Sequence, residues 1–329
     1  MKVSKFSLAV LSSTQKLALI IVVAGVLLIL PFITDDYIKS ICIQTCIYII
    51  LALSLNLVTG FAGQLVLGHA AFYGIGAYVA ALLMIKINVN FFISMICGMA
   101  VSGLFGFLLS LPTLKLKGDY LAIVTLGFGE IVRLVFVNWT EMTRGPLGLS
   151  GISKPSILGF KFDSYTRFYL LALALVVVVV IFMKRLVESG VGMSMSCVKA
   201  DEIATESIGI KPVKYKRLAF VLSAAFAGMA GAVYASYITF ISPTTFVYNT
   251  SVTILAMVVL GGLASIPGTV IGALVLTMIP ELLRFLNDYR MLIYGALMVI
   301  MMIYRPQGFY GAEKRVRNVF KKNSQRRSP

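Results

Sequence analysis

Runs free of formal charge divide this chain into membrane-length pieces. No Asp, Glu, Lys or Arg occurs in 17–34, 40–85, 87–114, 168–183, 218–280 or 291–304, and 120–140 is interrupted only by Glu130 and Arg133. A hydrocarbon core about 30 Å thick is crossed by roughly 20 apolar residues of helix. The run 40–85 therefore holds two helices, parted at Thr59-Gly60-Phe61-Ala62-Gly63, and 218–280 holds three, parted near Ser242-Pro243 and across 261–268. Ten spans are predicted: 17–34, 38–58, 65–85, 90–111, 120–139, 168–183, 218–239, 249–263, 268–283 and 290–304. The expected fold class is an all-α polytopic membrane protein. Counting alone suggests two inverted five-helix halves, because an odd number of spans per half reverses orientation.

Composition supports lipid over water as the solvent. Hydrophobic residues make up 59% of the 329 and charged ones 13%, against about 45–50% and 25% in soluble globular proteins. The net charge of +16 could attract nucleic acid, but a mean hydropathy of +0.94 points to a bilayer. With the amino terminus taken as cytoplasmic, twenty Lys and Arg fall in inner segments and eight in outer ones. That bias puts both termini inside. Residues 1–16 form a basic cytoplasmic start, 17–304 the membrane domain and 305–329 a basic cytoplasmic tail beside anionic lipid. An outer loop, 140–167, and an inner loop, 184–217, remain. Residues 17–34 show no small-x-small cleavage site and read as a span.

Candidate chemistry is sparse. Cys42, Cys46, Cys97 and Cys197 have no metal-ligand spacing, and Cys42 and Cys46 read as small hydrophobes. The single histidine rules out multi-histidine metal motifs, and no phosphate-binding loop, nucleophile elbow or dinucleotide fingerprint occurs. No catalytic residue, metal or cofactor is assigned to the chain. Glu130 and Arg133 share a helix face in mid-span, where a lone charge costs about 2.5–3.5 kcal/mol. They form either a structural ion pair or part of a translocation path. His69 opens a span near the inner side, as a packing residue or in a path or gate.

Small residues recur at helical spacing in Ala224/Gly228/Ala232, in Ser102/Gly106/Ser110 and in Gly268/Gly272. Such rows let helix backbones approach closely, so helix packing is their expected use, with subunit contacts or a moving seam as the alternatives. Within the inner loop, Ser189–Gly192 turns the chain away from the membrane. Asp201–Ile210 then reads as a short amphipathic helix with acids first and Gly209 at its end, and Lys211-Pro212 stops it.

Five ordered segments now carry a resemblance over nearly the whole chain. Gly63–Tyr78 resembles a signature of branched-chain amino acid importer permeases driven by ATP-binding-cassette subunits, and Gly118–Ile131 is similar to a second signature of their LivM-type subunit. Thr143–Gly151, Val259–Gly268 and Tyr304–Gly308 resemble its outer loop and carboxy-terminal marks. The resemblance implies an importer permease fold in a bacterial-type inner membrane. It also implies a second permease subunit, two cytoplasmic ATPases that bind ATP and Mg, and an extracytoplasmic solute-binding protein. Asp201, Glu202, Ala204, Glu206 and Gly209 fall at the expected ATPase-coupling loop, and His69, Glu130 and Arg133 are the candidate path residues. Met193, Lys199 and Arg144 depart from the residues usual in the family. Urea, short amides or a sugar are the alternative cargoes. An ion-driven secondary transporter is the alternative of another class, though only Glu130 resembles its expected midplane carboxylate.

Overall fold

Apolar runs become helices here because lipid offers their backbone groups no other partner. The computed structural model describes residues 34–282 except 114, 115, 117, 158 and 159, together with Gly295. The predicted spans 17–34 and 290–304 and both basic termini lie outside the described residues. The long helices are α1 (Asp36–Leu55), α2 (His69–Lys86), α3 (Phe91–Thr113) and α4 (Asp119–Asn138). After the single turn α5 (Thr140–Thr143) comes α6 (Tyr165–Glu188). Two short helices, α7 (Gly190–Ala200) and α8 (Glu202–Ser207), precede α9 (Pro212–Ile238), α10 (Tyr248–Gly261) and α11 (Ile266–Leu282). Among the described residues seven helices are long and apolar enough to cross a membrane, and α11 is a shorter apolar one. The eight predicted spans within this range each coincide with one of these, so the described part of the chain has the all-α, multi-pass architecture of a membrane protein.

Burial sorts the helices into a centre and a rim. The most apolar windows of α1, α2 and α9 are 83%, 72% and 72% buried, whereas those of α3, α4 and α6 are only 33%, 28% and 28% buried. A helix apolar on every side and buried on every side belongs to the core. The rim helices keep broad apolar faces for lipid or another chain. Helix α9 is the hub, packing on α1, α2, α3 and α7.

Small residues make that hub possible. A Cβ on Gly76 of α2 would collide with the backbone of Gly228 in α9, and one on Gly106 of α3 with Ala224 Cβ. Ser102 of α3 donates to Phe72 O at 2.6 Å and is fully buried. The predicted small-residue rows thus pack within one chain, and Gly268 and Gly272 of α11 meet Gly261 of α10 in the same way.

Three local readings need correction. Residues 65–68 do not join the predicted span 65–85, since α2 starts at His69. Ser189–Gly192 does not turn away as a loop; Ser189 is a one-residue hinge into α7. Pro212 does not stop a helix but opens α9, where its missing N–H costs nothing. Residues 140–161 and 189–211 lie at opposite ends of the bundle, because α6 runs between them. In the first, β1 (Leu149–Ser150) pairs antiparallel with β4 (Phe240–Ile241) beyond α9, and β2 (Ser156–Ile157) pairs with β3 (Phe160–Lys161).

Candidate functional site

Two helix interruptions meet inside the bundle. Helix α1 does not end at Leu55 but widens into a π-helical turn, Asn56–Phe61. The chain reverses at Gly63, whose φ of +71° suits only glycine, and residues 64–68 run without helix back to His69. Non-helical backbone at membrane depth persists only where protein or a cavity lines it. Here Leu67 N donates to Thr125 Oγ1 of α4 at 3.0 Å, and Ala70 N to Ser251 Oγ of α10 at 2.9 Å. The second interruption, 262–265, joins α10 to α11. Asn56 ties the two together, accepting from Ala264 N at 2.9 Å and donating to Ser265 O at 3.4 Å.

A third irregularity, Pro243–Thr245, brings Phe246 in among Tyr73, Tyr78 and Phe136, with ring centroids 5.0, 5.9 and 6.4 Å away. Between Leu67–Ala71, Leu126–Glu130 and Phe246–Ser251 lies a groove. Its cavity volume is about 10 Å³, room for roughly one water. No amino acid fits there until the walls separate. One wall, α4, packs by a single face: Leu121, Ala122, Thr125, Val132 and Phe136 are buried, while Ile123, Ile131 and Leu134 are exposed.

Glu130 lines this groove, and Arg133 Nε donates to its Oε2 at 2.7 Å. The side chains are 39% and 32% exposed, so the pair is neither interior nor on a free edge. It stands at the margin between the packed and the exposed face of α4, half-buried, where lipid is the poorest neighbour for charge. The pairing anticipated from the i, i+3 spacing is therefore present. His69 behaves otherwise. It is 1% exposed and does not line the groove, though its neighbours Gly68, Ala70 and Ala71 do. Ser54 donates to Leu51 O at 2.8 Å, and this leaves its oxygen to accept from His69 Nε2 at 2.8 Å. Buried without partners in the same stretch are Thr59 Oγ1, both amide atoms of Gln64 and His69 Nδ1. An unmade buried hydrogen bond costs about 1–3 kcal/mol, so the closed packing leaves polar capacity unused.

At the 189–211 end, Asp201 caps α8 by accepting from Ile203 N and Ala204 N at 2.9 and 3.0 Å. Gly209 follows with φ +86°, the left-handed residue that closes a helix. Thr205 is buried, whereas Ala204 and Glu206 are exposed, as are Ile203 and Ile208 at 76% and 70%. Glu202 faces inward, accepting from Lys216 Nζ of α9 at 2.8 Å. It clamps α8 onto α9 and is not part of the outward face. Helix α7 escaped the sequence pattern because Gly190, Gly192 and three serines or glycines nearby are weak helix formers. The buried set Gly192, Met195, Val198 at three-residue spacing was the available signal. Partial burial lowers the pKa of Lys199, near the end of α7, from the ordinary lysine value. Its Nζ donates to Gly60 O at 2.7 Å. Cys42, Cys46, Cys97 and Cys197 are free thiols, and the described residues hold no cluster of three metal-binding side chains.

The family described as branched-chain amino acid transport system / permease component matches residues 37–302. The high-affinity branched-chain amino acid transport system permease protein LivM of Salmonella typhimurium is 44% identical over 84% of this chain and 71% of its own length. LivM of Escherichia coli is 43% identical over 91% and 76%. The permease protein LivH of the same system in Salmonella typhimurium is 22% identical over 80% and 91%. No solved structure matches. These relatives are transport permeases and not enzymes. With a family match over most of its length and a relative above 40% identity, this chain belongs to the family of permease components of branched-chain amino acid transport systems.

Proposed function

We propose that this chain is one membrane-spanning half of an ATP-driven importer that takes up branched-chain amino acids. A second permease covers the open face of α4, two cytoplasmic ATPases bind ATP and Mg and dock on α8, and an extracytoplasmic binding protein delivers the solute. The observation that carries this reading is the Glu130–Arg133 pair on the wall of an incomplete groove. Two opposite charges side by side suit a zwitterion, whose carboxylate and ammonium can exchange with them at no change in net charge. Affinity then resides in the delivery protein, and the route only screens. Similarity to a second permease of a system with the same name supports a heterodimer. Uptake of labelled leucine into vesicles holding the full complex and internal ATP tests the reading. Excess isoleucine should compete while ribose and urea should not. Competition by ribose or urea would move the cargo to another class.

The twenty-to-eight distribution of bases supports a cytoplasmic 189–211 segment. In a background without the four native cysteines, Leu147→Cys, 82% exposed in native form, should label from outside sealed cells, and Ser207→Cys only after permeabilisation. Strong outside labelling at position 207 would reverse the orientation.

For α8, exposed Ile203 and Ile208 make an apolar contact for a partner. Ile203→Asp should cut stimulation of ATP hydrolysis by loaded binding protein about tenfold, as for a central interface residue, with membrane level unchanged. Full stimulation would make α8 a solvated connection.

A further inference from the structure

We propose that Lys199 is a positioning residue that fastens α7 to the interrupted segment 56–68, so that the two move as one body and displacement at the α7–α8 end reaches the groove. The inference rests on the ATP-driven reading above. Its geometry begins at Gly60 O. The π-helical turn already uses Leu57 O, which accepts from Ala62 N, and Val58 O, which accepts from Gln64 N. Gly60 O lies beyond them, at the end where a helix has carbonyls to spare and favours a cation. Lys199 Nζ fills that place at 2.7 Å across 139 residues of sequence.

The side chain does more than donate. A Cβ on Gly63 would lie 2.8 Å from Lys199 Cγ and 3.3 Å from its Cβ, so the lysine stem lies flat on the reversal point of the segment. Gly60 is enclosed on its other side, where a Cβ would lie 2.6 Å from Ala264 N. From there Asn56 holds Ala264 and Ser265, and Leu67 N, four residues after Gly63, holds Thr125 on the groove wall. A push on α7 is thus passed to backbone within the membrane. The segment is also prepared to shift, since Thr59 Oγ1 and the Gln64 amide are buried without partners in this arrangement.

The test uses the full complex in vesicles, with basal ATP hydrolysis, its stimulation by loaded binding protein, and leucine uptake measured together. Lys199→Met should lower stimulation and uptake by about tenfold or more, the scale of one lost hydrogen bond to a charged group, while basal hydrolysis and membrane level stay near normal. Lys199→Arg should keep most of both, because one carbonyl acceptor is all that the guanidinium must satisfy. Lys199→Gln, whose shorter neutral side chain falls short of Gly60 O, should lose stimulation and uptake as Lys199→Met does. Full activity of Lys199→Met overturns the proposal. So does Lys199→Arg as inactive as Lys199→Met at equal membrane level, since a cationic donor for Gly60 O would then restore nothing. Should Lys199→Met fail to insert, the arginine and glutamine variants decide, and full activity of Lys199→Gln overturns the proposal. Absence of ATP-dependent uptake by the wild-type complex would instead overturn the importer reading.

Discussion

Gly228→Val is expected to prevent stable assembly of the protein in the membrane. A Cβ at this position would lie 2.6 Å from Ser102 Cβ, 2.7 Å from its Oγ and 2.8 Å from Gly98 O. Ser102 cannot swing aside without breaking its 2.6 Å bond to Phe72 O, and backbone carbonyls cannot swing at all. Valine adds two methyl groups beyond that Cβ, so α9 must move away from α3. Overpacking of a dense core costs about 3 kcal/mol at the upper end of its usual range. Helices in lipid have no hydrophobic drive to restore the lost contact. The measurement is the membrane level of the variant and the midpoint of its thermal unfolding in detergent. Gly127→Val is the control: nothing stands within 4 Å of its Cβ, so the isolated chain should fold normally. Equal levels of both variants would show that the three-helix seam is looser than its geometry.

The second large effect concerns Glu130 and Arg133. Glu130→Gln or Arg133→Leu alone leaves one charge on a wall inside the membrane, at a cost of about 2.5–3.5 kcal/mol. Each should reduce both membrane level and leucine uptake, uptake by about tenfold or more. Joining the two changes removes the lone charge, so insertion should recover. Uptake should not recover, because the neutral wall no longer screens a zwitterion. Recovery of both would reduce the pair to a structural tie. Recovery of insertion alone, measured beside uptake at equal protein level, places the pair on the route.

Much of this behaviour was legible from residue order. Charge-free runs, and one apolar run broken only by Glu130 and Arg133, located the eight spans in the described range, since crossing lipid demands length and apolarity and little else. The i, i+3 spacing of Glu130 and Arg133 was enough for their bond, and Asp201 with Gly209 marked both ends of α8, because capping is local chemistry. Small-residue rows announced close helix contact. Five ordered motifs pointed to the family.

Which helices those rows join, and which faces remain open, depended on tertiary structure. Gly76 and Gly228 stand 152 positions apart in the chain, and no pattern around either names the other. The widening of α1 at Asn56 is invisible to periodicity, because its cause is distant: Asn56 bonds to Ala264 and Ser265, and Lys199 to Gly60. From its place at a span's start His69 read either as a packing residue or as part of a path, and the turn of α2 points it at Ser54 while Ala70 and Ala71 face the groove. Residue order by itself determined what crosses the membrane, because transfer into lipid is a property of each segment alone. Only the tertiary structure decided what holds the interruptions in place, because the backbone groups freed there are satisfied by partners far along the chain.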